Sequence, residues 1–446
     1  TGTLPLDIVL GPAIAAAYDG FPADSYFALE ALANLAALRA DPGAAAAFLV
    51  DGLPPAAPHL GNATLGIAHP VRQPALGRTL EILAARGPEA VRTGEIAGAL
   101  LATHRERGGL LAAEDLAAAE PVIAAPLTLR LAGGATACVP AAPSGGITIL
   151  QILGILRALR GEGRGRVRDF VMASWHAFAD RYHWLGDPAG VPVPTQGMLA
   201  PGYLAGIARD IAAGAPPPLP APGEGPPWDA FARRAVHDPW PHEPVGTAPA
   251  WRPAGGTEPP AGTVHVSAMD AGGMAVSITH TAANHFGAKV VCPRSGLLLD
   301  AAMGWFNARP GAANSIAPRR RPLANMGPAL LIGQDGRAHA ALGAPGGRRI
   351  IGAVAHILGG LAAGLDAEAV LAEPRADASG DAALLDEALA AEAAALRAEG
   401  LPVRTVAREH EPFNYELARP ILAMRGRALG VQAAADPFST GHAGAV

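Results

Sequence analysis

Two threonines, Thr263 and Thr281, stand at the outer ends of a stretch that reads as a β-hairpin, GTVHVSAMDAGGMAVSITHT (262–281). If Asp270 and Met274 close a three-residue loop, antiparallel register places the two threonines directly opposite each other. Directly opposed residues have Cβ atoms roughly 4.5–5.5 Å apart. The sequence therefore predicts two neighbouring hydroxyls that are 18 positions apart in the chain.

Such a pair suggests nucleophilic chemistry. A threonine hydroxyl is a poor nucleophile unless a base lies beside it. Cleavage of the bond before Thr263 would supply that base, because the new α-amino group has a pKa of about 7.7–8.0 and can accept the hydroxyl proton near neutral pH. Thr281 would then orient or polarise the first hydroxyl. The alternative is structural, since threonine is common in strands and Thr–Thr pairs are ordinary there.

The same register separates the hairpin into two faces. His265 is paired with Thr279, and Ser267 with Ser277, on a face that is largely polar. The other face is mostly apolar. This alternation is typical of a half-buried sheet whose apolar face packs on the core.

Further elements must position this hairpin. A Pro/Ser/Gly loop at 139–146 leads into a buried helix, and residues 168–185 predict a second helix that is rich in aromatic residues. The other predicted elements are a strand at 127–134, helices at 74–86, 348–364 and 382–399, strands at 288–291 and 296–302, a hairpin at 328–342 and a strand pair across 421–436. Strands that alternate with long helices indicate a layered protein of mixed helix and sheet.

Two regions carry simpler interpretations. Proline and glycine dominate from about 189 to 262, which predicts an extended connector. On the aromatic helix, Asp180 and Arg181 predict a structural ion pair. Trp175, Trp184 and Phe178 are predicted core residues of that helix. A binding or structural protein that uses the aromatic helix is an alternative to an enzyme.

Composition excludes several classes of function. The chain has 446 residues, of which 16% are charged, and a net charge of −5 without a basic block, which argues against nucleic-acid binding. It has no uninterrupted apolar run of the roughly 20 residues that span a bilayer. Cys138 and Cys292 lie far apart, so neither a disulfide scaffold nor a metal cluster organises the fold, and two free thiols are expected.

The hairpin resembles the reactive-site segment of the γ-glutamyltransferase (γ-glutamyltranspeptidase) family of N-terminal-nucleophile hydrolases. In the stretch TVHVS (263–267), Thr263 matches the family nucleophile, and Thr281 matches its supporting threonine. Gly346 and Gly347, in GAPGGRRII, match the loop whose backbone amides form the oxyanion hole. A glycine pair lets two N–H groups approach a developing oxyanion without interference from side chains.

The resemblance covers nearly the whole chain, in family order. The segments that carry it are GTLPLDIVLGPAIAAAYDGF, GGLLAAEDLAA, APSGGITILQIL, ADRYHWLGDP and RPLANMGPALL. It implies a four-layer αββα sandwich forming one structural domain, cleaved between Gly262 and Thr263. Residues 1–262 would then be a large-subunit-like region and 263–446 a small-subunit-like region, and the two fragments would form a heterodimer.

The resemblance also implies that family members carry a segment before the one that opens here. That segment supplies core strands and the arginine that binds the α-carboxylate of the substrate, and we expect this chain to lack it. Family members are often periplasmic or secreted. We expect the N-terminus that would carry a signal to be missing from this sequence, so no compartment is predicted.

Three further departures from the family fall on substrate recognition. Trp305 replaces the aspartate that holds the α-amino group of the substrate, and Ala324 and Asn325 replace a serine pair. Ala283 replaces an asparagine, although Asn284 is adjacent. Trp305, Ala324, Asn325 and Asn284 are the predicted substrate-binding residues.

These substitutions favour an amide hydrolase or acyltransferase that acts on γ-glutamyl or related acyl amides, with Trp305 favouring an apolar or small acyl group. Its partner would be a small molecule, and the mechanism needs no metal or cofactor. The alternative is a relative that is neither processed nor active.

Overall fold

The computed structural model describes residues 2–56, 69–161, 166–218, 261–308, 310–408, 416–426 and 430–444. The chain divides into two compact units, one made of residues 1–123 and 284–301 and the other of residues 124–283 and 302–446. The predicted boundary between Gly262 and Thr263 falls inside the second unit. This boundary, the two subunit-like regions and the single structural domain stay predictions.

The first unit is largely helical. Its helices are α1 (Leu6–Asp19), α2 (Ser25–Ala33), α3 (Leu35–Ala40), α4 (Pro42–Phe48), α5 (Pro74–Arg86), α6 (Glu89–Arg92), α7 (Glu95–Glu106) and α8 (Ala113–Ala117), with the short strands β1 (Phe21–Pro22) and β2 (Pro70–Val71). Helix α5 confirms the prediction for residues 74–86. It begins at a proline, whose missing N–H costs nothing there, and ends before Gly87, whose φ of 72° is left-handed.

The segment 284–301 passes through this unit without forming the predicted strands at 288–291 and 296–302. Its two halves are joined by an isolated bridge between Val291 and Leu298 and by backbone hydrogen bonds such as that from the Leu299 N–H to the Val290 carbonyl oxygen at 2.9 Å. The extended backbone is interrupted within the predicted strand at 288–291, because Lys289 has a left-handed φ of 58°. Val291 and Cys292 are buried among the helices instead.

Antiparallel strands form the centre of the second unit. Its strands are β3 (Leu127–Arg130), β4 (Thr136–Val139), β5 (Ala261–Met269), β6 (Ala275–Asn284), β7 (Ala329–Ile332), β8 (Ala338–Gly343), β9 (Ala376–Asp377), β10 (Ala383–Asp386), β11 (Val403–Val406), β12 (Ile421–Arg425) and β13 (Val431–Ala435). Six of them pair in the order β13-β12-β8-β7-β4-β3, each antiparallel to its neighbour. The predicted hairpin at 328–342 and the predicted terminal strand pair are confirmed as β7–β8 and β12–β13.

Helices of the second unit cover the six-stranded sheet. They are α9 (Gly146–Arg160), α10 (Val167–Trp184), α11 (Thr195–Leu199), α12 (Pro201–Ala212), α13 (Arg349–Ala362), α14 (Ala367–Ala372) and α15 (Ala390–Ala398). Apolar residues of α9, α10 and α13 share one buried cluster with Leu331 and Leu342 of the sheet. Trp175 and Phe178 belong to that cluster, and Trp184 to a second one, so the predicted core aromatics are confirmed.

Two predictions for this unit were wrong in part. The helix predicted at 382–399 begins only at Ala390, because residues 383–386 are buried as β10 and pair in parallel with β11. The connector predicted from 189 to 262 includes α11 and α12, since apolar residues at helical spacing bury Met198, Leu204 and Ile207. The rest of that connector, from residue 219 to 260, lies outside the described residues.

Among the described residues, no helix is both long and apolar enough to cross a membrane. No group of three or more His, Cys, Asp or Glu side chains in the described ranges has the geometry to bind a metal ion. Cys138 and Cys292 are free thiols.

Candidate active site

The hairpin of β5 and β6 closes as predicted. The Asp270 N–H donates to the Met274 carbonyl oxygen at 3.0 Å, and the Asp270 side chain accepts from the Met274 N–H at 2.9 Å. Gly273 in the loop has a φ of 93°, which few residues other than glycine adopt. The loop therefore sets the register that brings Thr263 opposite Thr281.

The two threonine hydroxyls are neighbours, as the register predicts. Thr263 Oγ1 donates to Thr281 Oγ1 at 3.2 Å, and Thr281 Oγ1 donates to the carbonyl oxygen of Gly262 at 3.2 Å. The Ala283 N–H donates to the same Thr281 hydroxyl at 2.9 Å. Thr281 thus joins the predicted nucleophile to the carbonyl group of the peptide bond that precedes it, a contact that strand register alone does not predict.

The hairpin turns its polar face inward, so the expectation of a buried apolar face was wrong. Val264, Val266 and Ile278 on the apolar face are 60%, 53% and 54% exposed. On the polar face, Ser277 Oγ donates to the Leu342 carbonyl oxygen at 2.8 Å and Ser267 Oγ donates to the Ile421 carbonyl oxygen at 3.4 Å. Serine hydroxyls thus bind the hairpin to the backbone of β8 and β12.

The hairpin lies on the side of the sheet opposite to α9, α10 and α13. Leu342 points into the core that these helices form. At the next residue, Gly343, an added Cβ would lie 2.2 Å from His265 Cε1. Because successive side chains in a strand point to opposite faces, His265 occupies the face away from the helices.

His265 is the buried centre of the polar face, with 4% of its surface exposed. Its Nδ1 atom lies 2.8 Å from Thr279 Oγ1, and its Nε2 atom lies 2.9 Å from Ser267 Oγ. Burial lowers the pKa of His265 to about 4, because removal from water disfavours the charged imidazolium. The imidazole is therefore neutral at pH 7, and it connects the two strands through their hydroxyls.

The glycine pair follows β8 and precedes α13. Gly346 and Gly347 have φ angles of 136° and 61°, and a Cβ at Gly346 would lie 2.7 Å from Ala418. Neither of the two N–H groups donates a hydrogen bond to any residue in the described ranges. The local geometry thus requires glycine and leaves two backbone donors available, while the role of these donors toward a substrate stays a prediction.

Trp305 and the 322–326 segment are joined by a residue that the sequence analysis missed. Asn314 Nδ2 donates to the Trp305 carbonyl oxygen at 2.7 Å, and Asn314 Oδ1 accepts from the Leu323 N–H at 2.9 Å. Trp305 itself is half-buried. An isolated asparagine in a loop has no distinguishing pattern, so only the folded chain identifies it as the link.

Ala324 and Asn325 lie against the Pro/Ser/Gly loop at 139–146. The Ala324 N–H donates to the Pro143 carbonyl oxygen at 2.8 Å, and the Gly145 N–H donates to the Met326 carbonyl oxygen at 2.8 Å. The Ala324 side chain is buried and Asn325 is half-buried. Backbone hydrogen bonds on both sides therefore hold this segment in place.

The predicted ion pair between Asp180 and Arg181 was wrong. Asp180 accepts hydrogen bonds from Gln151 and, at 2.7 Å, from the Tyr203 hydroxyl. Arg181 instead reaches Ala324 and Asn325 with its guanidinium group. Adjacent residues on a helix point in different directions, which is why these two side chains have different partners.

Asn284, the fourth predicted substrate-binding residue, lies at the end of strand β6. It is the last residue of β6 and the first residue of the segment that belongs to the first unit. Its carbonyl oxygen accepts from the Gly287 N–H at 2.9 Å. A role for its side chain in substrate binding stays a prediction.

The architecture is that of the N-terminal-nucleophile hydrolases. The chain superposes on cephalosporin acylase from Bacillus halodurans with a TM-score of 0.78, covering 99% of this chain and 74% of that chain at 20% identity. The predicted fold class, an α+β sandwich of this type, is confirmed.

Within this class, the chain belongs to the gamma-glutamyltranspeptidase family, whose model matches residues 1–446. It is 30% identical over 368 residues to the glutathione hydrolase proenzyme of Escherichia coli (strain K12), which is 78% of this chain and 56% of that protein. It is 32% identical over 354 residues to the acylase ACY 1 proenzyme of Pseudomonas sp. (strain V22), again 78% of this chain and 56% of that protein. The chain thus spans a little over half the length of these relatives.

Protonation of His265 makes the stability of the chain depend on pH. The folded pKa of about 4 lies below the unfolded value of about 6.5, so its contribution is complete above pH 6.5 and is lost as the pH falls toward 4. We expect the loss over this range to be about 3 kcal/mol. Denaturant unfolding at a series of pH values measures it.

The variant His265→Asn removes the titrating group while keeping a neutral polar side chain. Its stability should fall less steeply between pH 6.5 and 4 than that of the parent chain. His280→Gln, which removes an exposed imidazole from the other face of β6, is the matched control and should keep the parental slope. Identical slopes for His265→Asn and the parent chain would contradict the assignment.

Proposed function

We propose that this chain is an autoprocessing threonine-nucleophile amide hydrolase or acyltransferase, cleaved between Gly262 and Thr263. The observation that carries the proposal is the hydrogen-bonded series from Thr263 Oγ1 to Thr281 Oγ1 to the Gly262 carbonyl oxygen, with 3.2 Å at each step. Family membership supports it, because relatives of this chain are glutathione hydrolase and acylase proenzymes.

The first reaction is cleavage of the chain itself. Thr263 Oγ1 adds to the carbonyl carbon of Gly262, its proton moves to the amide nitrogen, and the C–N bond breaks to leave an ester. This step already frees the α-amino group of Thr263. Water then hydrolyses the ester, which releases a carboxylate at Gly262 and restores the Thr263 hydroxyl. The Thr281 hydroxyl donates to the oxygen on which negative charge develops, which lowers the barrier to the addition.

The second reaction is turnover of an external amide. The new α-amino group of Thr263 accepts the hydroxyl proton, and Oγ1 attacks the substrate carbonyl carbon. The N–H groups of Gly346 and Gly347, which donate no hydrogen bond within the described residues, stabilise the oxyanion. The amine leaves with the transferred proton, and water or an acceptor amine then releases the acyl group from Thr263. No metal or cofactor takes part.

The substrates we propose are acyl amides, including γ-glutamyl amides as poorer members of the class. Trp305 stands where the family has an aspartate, and an indole ring interacts with an ammonium group only weakly, across its face. An apolar or small acyl group therefore fits beside Trp305 better than the charged amino group of a glutamyl substrate. The names of the relatives include both a glutathione hydrolase and an acylase, which supports this range.

We propose that the two fragments remain together as a heterodimer. Strand β4 precedes the cleavage site and β7 follows it, yet the two pair antiparallel over residues 136–138 and 330–332. Helices α9 and α10 before the cut share a buried cluster with α13 after it. Separation of the fragments would expose this core and is therefore unfavourable.

Replacement of Thr263 tests the proposed nucleophile. The parent chain should convert into two fragments, and the smaller should begin at Thr263 in N-terminal sequencing. Thr263→Ala should stay intact and inactive toward amides, whereas Thr263→Ser keeps a hydroxyl and should still be cut. If the parent chain still runs as a single intact band on a denaturing gel after days of incubation, the result would support an unprocessed relative instead.

Thr281→Val keeps the shape of the side chain but removes its hydroxyl, and should slow cleavage about 10²- to 10³-fold, as loss of an oxyanion donor does. Thr128→Val is the matched control, because it makes the same change at an exposed threonine of β3, the edge strand of the six-stranded sheet. Equal cleavage rates for these two variants would refute the role given to Thr281.

Replacement of Trp305 tests the substrate range. The parent should hydrolyse simple acyl anilides better than γ-glutamyl anilides. Trp305→Asp supplies a carboxylate for the substrate ammonium, and should raise kcat/KM for γ-glutamyl anilides about 10- to 100-fold. Trp305→Asn introduces a side chain of the same shape as aspartate but without the charge, and it should not raise kcat/KM for γ-glutamyl anilides. Efficient turnover of γ-glutamyl anilides by the parent chain would show that Trp305 does not set specificity.

A further inference from the structure

Arg181 is a fully buried arginine on α10, with no exposed surface. Its Nη1 atom donates to the Ser144 carbonyl oxygen at 3.1 Å, and its Nη2 atom donates to the Ala324 carbonyl oxygen at 2.8 Å and to Asn325 Oδ1 at 2.9 Å. All three acceptors are uncharged, and no carboxylate in the described ranges pairs with the guanidinium group. Burial lowers the pKa of Arg181 to about 10, and the group stays charged at neutral pH.

A buried charge without a counter-ion is costly, so this arrangement requires an explanation. Docking of the 324–326 segment does not supply one. The Ala324 N–H already binds the Pro143 carbonyl oxygen, and the Met326 carbonyl oxygen already accepts from the Gly145 N–H. Beyond its hydrogen bonds to the Ser144 and Ala324 carbonyl oxygens, Arg181 contacts one side chain of the segment, that of Asn325.

The contact determines which way the Asn325 amide points. A guanidinium group can only donate hydrogen bonds, so the amide oxygen Oδ1 must face Arg181 and the Nδ2 group must face away from it. Nδ2 makes no hydrogen bond with any residue that the structure describes, and the side chain is only half-buried. Asn325 therefore presents two N–H donors on the side away from Arg181.

We propose that Arg181 is a positioning residue for acyl-group recognition, because it fixes the Asn325 amide so that the segment presents hydrogen-bond donors to the substrate. This inference rests on the proposed function and on the predicted role of Asn325 in substrate binding. With Arg181 in place the segment favours an acyl group that carries an oxygen acceptor. Without it the amide is free to rotate and to present Oδ1 instead.

The test compares two anilides that differ only in an acceptor. One is the mono-p-nitroanilide of glutaric acid, which carries a terminal carboxylate, and the other is pentanoyl p-nitroanilide. Arg181→Met should raise KM for the first about 10- to 100-fold and change KM for the second less than about threefold, because a hydrogen bond to a charged group is lost only in the first case. Arg168→Met, on the same helix, is the matched control, because Arg168 pairs with Glu399 instead.

Asn325→Asp gives a second variant that does not depend on removing a buried charge. Its carboxylate forms an ion pair with Arg181, which favours folding, but it offers no donor to the substrate. It should show the same selective rise in KM as Arg181→Met. The double variant should raise KM by less than the product of the two separate fold-changes, because both substitutions act on the same donor.

The affinity for glutarate is measured by calorimetry in parallel, because it reports acyl-group recognition without requiring turnover. Weaker glutarate binding in Arg181→Met than in Arg168→Met supports the inference even if no anilide is hydrolysed, in which case only the proposed function fails. If both anilides are hydrolysed and Arg181→Met changes KM for both by the same factor, the inference is overturned and the proposed function stays intact. Absence of both turnover and glutarate binding in the parent chain overturns both.

Discussion

The hydrogen bonds between serine hydroxyls of the hairpin and backbone carbonyl oxygens of the sheet are the contacts on which the site depends. Ser277 binds the carbonyl group of Leu342 in β8, and Ser267 binds that of Ile421 in β12. Neutral His265 lies within hydrogen-bonding distance of Ser267 and Thr279, and its ring fills the space beside Gly343 that a side chain there would need. These contacts place β5, and with it Thr263, at a defined height above the sheet.

The same sheet would keep the fold intact if the chain were cut before Thr263, as proposed. Strands β3 and β4 come from before residue 262, whereas β7, β8, β12 and β13 come from after it, and all six pair in one antiparallel sheet. The core between this sheet and α9, α10 and α13 also draws on both parts of the chain. The covalent bond before Thr263 is therefore not what holds the two parts together.

Local sequence patterns correctly predicted the features that depend on residues close together in the sequence. The meeting of Thr263 with Thr281 follows from the register of a hairpin once its loop is identified, and the bounds of α5 follow from a proline and a glycine. The predictions that were wrong concern structure that depends on residues distant in sequence. Alternation in β5 identifies two faces but not which one is covered, and residues 383–386 became a strand because β11 lies beside them. The link from Arg181 to Asn325 spans 144 positions, and no local pattern encodes it.

The inward-facing polar side of the hairpin has a consequence for local stability. Val264, Val266 and Ile278 remain in water, so β5 and β6 gain little of the apolar burial that stabilises the strands beneath them. Each polar contact that holds them contributes only about 0.5–1.5 kcal/mol net. The free energy of opening the hairpin is therefore well below that of global unfolding, and its backbone amides exchange with solvent sooner than those of β7 and β8. The strand that carries Thr263 is thus attached to the sheet mainly by polar contacts.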